Sequence, residues 1–181
     1  MAAAKDRWRR FGTDRSGATM IEFALLGIPF FAIVAAILET SMIFFASQVL
    51  DSAVHDSARL IRTGQAQSAR LDTAGYKRAI CGGLYRLFDC NGLRVKVSVV
   101  GDFSSVSRVA PVAGGEDCTE DDCEWTVVED FQPGAGSEVV MVEAYYRWPI
   151  LINLPGLNLM NLPDGTRLLG AVRVFQNEPF S

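Results

Sequence analysis

Two carboxylates in a stretch with almost no other charge pose the first chemical question. Residues 15–50 read "RSGATMIEFALLGIPFFAIVAAILETSMIFFASQVL", and from residue 21 onward the only ionisable side chains there are Glu22 and Glu39. A carboxylate in an apolar medium is costly unless a cation or hydrogen-bond donor meets it, so each calls for a partner. The cysteines offer a second chemistry. Cys81 with Cys90 in "CGGLYRLFDC" and Cys118 with Cys123 in "CTEDDC" form two close pairs, which predicts two local disulfides in an oxidising compartment. A zinc site would show two-residue spacings or histidine partners, and the one histidine, His55, lies far upstream. The acidic residues around the second pair, Glu116, Asp117, Glu120, Asp121, Asp122 and Glu124, suggest calcium. They lack the Asp-x-Asp-x-Asp-Gly layout of a calcium loop and read as a solvated acidic loop, so no metal and no cofactor is expected.

Catalytic groupings are sparse. Ser52 and His55 stand three residues apart near Asp51 and Asp56 and touch as helix neighbours, but a triad gathers its members around a pocket and orients its base with a third group. "GAGS" at residues 134–137 reads as a turn, not as a strained nucleophile elbow, and no phosphate-binding glycine loop is present. The chain is expected not to be an enzyme.

The elements that must position these residues begin with the apolar run. Sixteen residues separate Glu22 from Glu39, about 24 Å of helix, and continuation through "TSMIFFASQVL" makes residues 18–50 long enough to cross a hydrocarbon core of about 30 Å. Before Ala18, five basic residues against two acidic ones give +3, so with a chain total of -4 the remainder carries -7. The basic flank predicts a single pass with residues 1–17 in the cytoplasm and residues 51–181 exported. An acidic body has no basic face for phosphates, which argues against nucleic-acid binding.

Beyond the span, Leu50, Val54, Ala58 and Ile61 recur at helical spacing, so the membrane helix is expected to continue as an amphipathic stalk ending at Thr63 and Gly64. A second helix is expected from about Asp72, with Tyr76, Ile80, Leu84 and Leu87 on one face and a cysteine bridge pinning its end to the "DCNG" turn. Residues 93–100 alternate as a strand, with Leu93, Val95, Val97 and Val99 on one side. Residues 137–148 and 167–176 are rich in branched and aromatic side chains and should pair with it. The fold class is therefore α+β, a small helix on an antiparallel sheet. "WPILINLPGLNLMNLP", residues 148–163, is too interrupted for a long helix and either caps the sheet or offers an apolar patch to a partner or a membrane surface.

The junction before the span is not that of a secretory signal, whose apolar core is shorter and is followed by a small-x-small site. Instead Gly17 closes a basic leader and Glu22 is the fifth residue counted from Ala18, a pattern resembling the processing site of type IV pilins and their relatives. The segment "GATMIEFALLGIPFFAIVAAILETSMIFFASQVLDSAVHDSARLIRTGQ" further resembles the N-terminal region of TadE-like proteins, pseudopilins of the Tad (tight adherence, Flp-type) pilus system. The resemblance rests on Glu22 and Phe23, Pro29 in the first half of the span, Glu39 after the second apolar block, and a small-residue helix reaching Ala58 and Arg59. It covers about 50 residues; "HDSAR" stands where a glutamate-glycine pair would be expected. It implies a pilin-like exported domain and cleavage between Gly17 and Ala18 by a prepilin peptidase. It also implies an assembly role for Glu22, Phe23 and Glu39, and residence in the bacterial inner membrane with the domain in the periplasm. Its partners would be membrane lipid, other Tad pilins and pseudopilins and the inner-membrane assembly platform, in pilus assembly and surface adherence. Glu39 would lie either at the exported interface or against a partner helix. The alternative is an unprocessed single-pass anchor carrying an extracytoplasmic binding domain.

Overall fold

The computed structural model describes residues 17–104, 106, 109–113, 124–152 and 158–180. One helix, α1, runs from Ala18–Arg62 and contains Pro29. It is followed by a single turn, α2 (Gln65–Ser68), and by α3 (Thr73–Gly82), whose N-cap Asp72 accepts the Gly75 N–H at 2.6 Å. A four-stranded sheet follows: β1 (Arg94–Val100), β2 (Asp130–Phe131), β3 (Val139–Pro149) and β4 (Thr166–Gln176).

The chain divides into two compact units, Met1–Leu38 and Glu39–Ser181. In the first, none of the described side chains is buried. Residues 18–38 make about 31 Å of helix at 1.5 Å per residue, the thickness of a bilayer's hydrocarbon core. The most apolar 18-residue window of α1 has a mean hydropathy of 2.4.

In the second unit α1 acquires a buried stripe at helical spacing: Glu39, Ile43, Ala46, Leu50, Ala53, Val54, Ser57, Ala58 and Ile61. Residues 39–50, expected within the span, carry one face that packs inside the globular unit. The stripe meets the inner face of the sheet, with Leu93, Val95 and Val97 from the β1 segment, Val140, Val142, Ala144 and Trp148 from β3, and Leu169 and Ala171 from β4. Tyr76, Ile80, Leu84 and Phe88 fill the same core, although α3 itself stops at Gly82. Gly83 allows a close approach to α1: a Cβ there would stand 3.0 Å from that of Ala53, so a larger residue would crowd the helix.

Strand order is β2-β1-β3-β4. β1 and β4 both run antiparallel to β3, with Val97 opposite Val142 and Ala144 opposite Ala171. The expected antiparallel sheet is in fact mixed, because the short edge strand β2 lies parallel to β1, pairing Lys96 with Asp130 and Val97 with Phe131. Val99, placed on the inner face by alternation, is 39% exposed because the core ends before the last turn of β1's pleat. At the base of the acidic loop Val112 bridges Trp125, bringing the loop's ends together, while residues 114–123 lie outside the described residues.

A clasp ends α1. Gly64 adopts a left-handed conformation, φ 74°, as a helix stop demands, and its open Cα face lies on the Phe180 ring. The Glu178 N–H donates to the last-turn carbonyl of Arg62 at 2.8 Å, and the Asn177 side-chain amide donates to the Pro133 and Ala135 carbonyls, each at 2.9 Å. Asn177→Ala should therefore lower the stability of the globular unit by about 1–3 kcal/mol, since both hydrogen bonds of the buried Asn177 amide are lost. Thermal unfolding beside Gln176→Ala, whose side chain bonds at the surface, is the check: equal melting of the two variants at the wild-type temperature would show that the clasp contributes nothing.

Candidate functional site

The residues singled out along the apolar run fall in two places. At the start of α1, Gly17 is exposed with no atom within 4 Å of a Cβ built on it, and its carbonyl accepts the Ile21 N–H at 3.2 Å. The bond that follows it leads directly into the helix, since Ala18 is the first residue of α1. Glu22 lies one turn on, at the i+4 position from Ala18 and hence on the same helical face, with its side chain exposed. The first turn of α1 contains no acidic residue, so among the described residues of α1 Glu22 is the first anion after the positive end of the helix dipole. Phe23 is 71% exposed, and its ring reaches the open side of Gly27, where a Cβ would stand at 3.7 Å. A small residue, an accessible peptide bond, a carboxylate one turn away and an uncovered apolar helix can together do two things. They can present a scissile bond to a protease, and they can present an ion-pairing anion to another helix.

The second place is Glu39, where the globular unit begins. Its side chain is buried, and its Oε1 accepts the backbone N–H of Leu151, just past β3, at 3.1 Å. The carboxylate therefore has a partner in its own chain, a third arrangement beside the interface and the partner helix that composition left open. No local pattern joins residues 39 and 151, so the pairing was not readable from the sequence.

Cys81 and Cys90 are joined in a disulfide with Cα atoms 6.0 Å apart, pinning the end of α3 to the turn before β1. Cys118 and Cys123 lie outside the described residues. Among the described residues no group of three or more His, Cys, Asp or Glu side chains gathers as a metal site would.

Ser52 and His55 are exposed on α1, and Asp51 pairs instead with Arg173 of β4. His55 lines a groove of about 200 Å³ with Ala58, Arg59, Arg62, Arg173, Val174 and Phe175, which presents neither an oriented base nor a nucleophile. The remaining perturbed groups are structural. Burial pushes the Tyr76 phenol up to about 12, against the opposing effect of its hydrogen bond to Ser57 at 3.2 Å. Burial also raises the Glu129 carboxyl, but the hydrogen bond and charge of Lys77, a Val95 backbone bond and the charge of Arg94 outweigh it and hold the group below its ordinary range. Arg147 and Arg94 flank the Trp125 ring, at 4.7 and 5.9 Å from its centroid. These contacts fasten the loop before β2 to the outer face of the sheet.

Comparison with known proteins bears on the first place. The model of the family described as TadE-like protein matches residues 17–59, from the residue before α1 to its last turn. No curated protein and no solved structure matches the chain.

Proposed function

We propose, taking residues 17–59 as a TadE-like segment, that the chain is a minor pilin or pseudopilin of the Tad pilus system and acts through helix packing, without catalysis, in pilus assembly and surface adherence. α1 crosses the bacterial inner membrane once, the basic leader lies in the cytoplasm, and the unit Glu39–Ser181 is periplasmic. Prepilin peptidase removes residues 1–17. The observation that carries this reading is the coincidence at Gly17. There the family match begins, a helix with an uncovered apolar surface starts, and a carboxylate stands one turn inside.

Cleavage would leave an ammonium on Ala18 at the N-terminus of α1, where it meets the positive end of the helix dipole. Glu22 of a neighbouring subunit would neutralise both, and in a lipid-like medium that attraction far exceeds its value in water. The other partners follow from the same anchoring: further Tad pilins and pseudopilins alongside α1, and the inner-membrane assembly platform that receives them.

The intact mass of membrane-extracted protein tests the reading. With an active prepilin peptidase present, the wild type should lack its first 17 residues, and Gly17→Phe should accumulate as full-length precursor in the membrane. Uncleaved wild type would instead leave an unprocessed anchor carrying an extracytoplasmic binding domain. For that reading the arginine-lined groove between α1 and β4 is the surface to examine.

A further inference from the structure

The apolar surface of α1 does not stop where the globular unit begins. On the helix face turned away from the core, Met42, Phe44 and Phe45 stay open to solvent. The next exposed positions, Gln48, Ser52, His55, Asp56 and Arg59, are polar or charged. Next to Glu39, on the core-facing side of α1, the chain leaving β3 divides its apolar residues: Ile150 packs on the core, whereas Leu151 is 83% and Ile152 37% exposed.

The hydrogen bond from Leu151 to Glu39 fixes the level of that pair along α1. It lies six residues, about 9 Å, nearer the apolar end of the unit than Phe45. If Phe45 marks the water boundary, Leu151 and Ile152 sit about 9 Å below it, within the 5–10 Å depth that interfacial apolar groups reach. The same bond accounts for a carboxylate at this position. A backbone N–H facing hydrocarbon needs an acceptor from the protein, and Glu39 supplies it for Leu151.

We propose that Met42, Phe44, Phe45, Leu151 and Ile152 form a foot immersed in the lipid of the exported leaflet, with Glu39 latching the loop to the helix. The inference rests on the reading of α1 as a membrane span, because the occupant is identified by continuity: Glu39 directly follows the uncovered apolar run. The foot sets the domain on the membrane at a second point beside α1, which opposes rotation of the domain about the helix axis.

Spin labels attached to single added cysteines in the full chain test this in phosphatidylethanolamine and phosphatidylglycerol bilayers. Position 151 is compared with position 28, in the apolar run, and with exposed Val128. The label at 151 should collide with oxygen, which partitions into lipid, and lose most of the collisions with a water-soluble nickel chelate that the label at 128 shows. Label 28 should be deeper still. A label at 151 as open to nickel as 128, with 28 deep, overturns the foot and leaves the span intact. A label at 151 shielded from both reagents also overturns it, in favour of a protein partner. An aqueous label at 28 means that the span itself is wrong and the foot falls with it.

Discussion

Glu22→Gln should yield a protein that is cleaved and membrane-bound yet fails to co-purify with its pilus partners and fails to restore piliation in a deletion strain. The substitution keeps the shape of an exposed side chain on the first turns of α1, so neither helix nor domain should be disturbed. Insertion should survive as well, because loss of a charge makes the span more apolar. On the proposed function, what would be lost is the counter-charge of a neighbour's Ala18 ammonium. Removing one member of a buried pair costs about 3–5 kcal/mol because the other charge is left uncompensated, or roughly a hundred- to several-thousand-fold in association. Glu22→Ala should behave alike, and Glu22→Asp should recover part of the function. Wild-type assembly by Glu22→Gln would reduce Glu22 to an interfacial residue and remove the main support for a pseudopilin.

Leu50→Ala is expected to carry the largest stability loss. Leu50 is 1% exposed, in the middle of the buried stripe of α1, and its removal opens a cavity between helix and sheet. Such truncations cost about 2–5 kcal/mol. Against a typical total of about 5–15 kcal/mol that is a large share, and melting should fall by about 6 to 20 °C for a unit of this size. Leu38→Ala is the informative control, being the same residue type on the same helix but 60% exposed and outside the globular unit. Its melting, followed by the fluorescence of Trp125 and Trp148, should stay near wild type. A reversal of the two results would mean that α1 does not enter the core at Glu39.

The contrast between these two leucines also shows what the sequence could and could not convey. Helical periodicity and the Thr63 and Gly64 stop located the far end of α1, and alternation located β1, because both signals are local and repeat several times. The place where the uncovered run gives way to the packed stripe was not legible, since Leu38 and Leu50 are chemically identical and only their surroundings differ. β2 escaped notice because its two residues carry no periodicity and owe their strand geometry to β1. At the candidate site, glycine, carboxylate and apolar run could be read because they sit within a few residues of one another. The Glu39 to Leu151 bond and the Asn177 clasp join residues far apart in sequence, and no spacing announces them.

That clasp also governs timing. Residues 177–180 close the end of α1 and fix the 133–138 turn, so the globular unit cannot finish folding until residue 180 has been made. Until then the end of α1 and the 133–138 turn lack the contacts that hold them. The protein therefore passes through a half-built stage whose length is set by the pace at which the chain is delivered, and that stage is where a chaperone or protease would act on it.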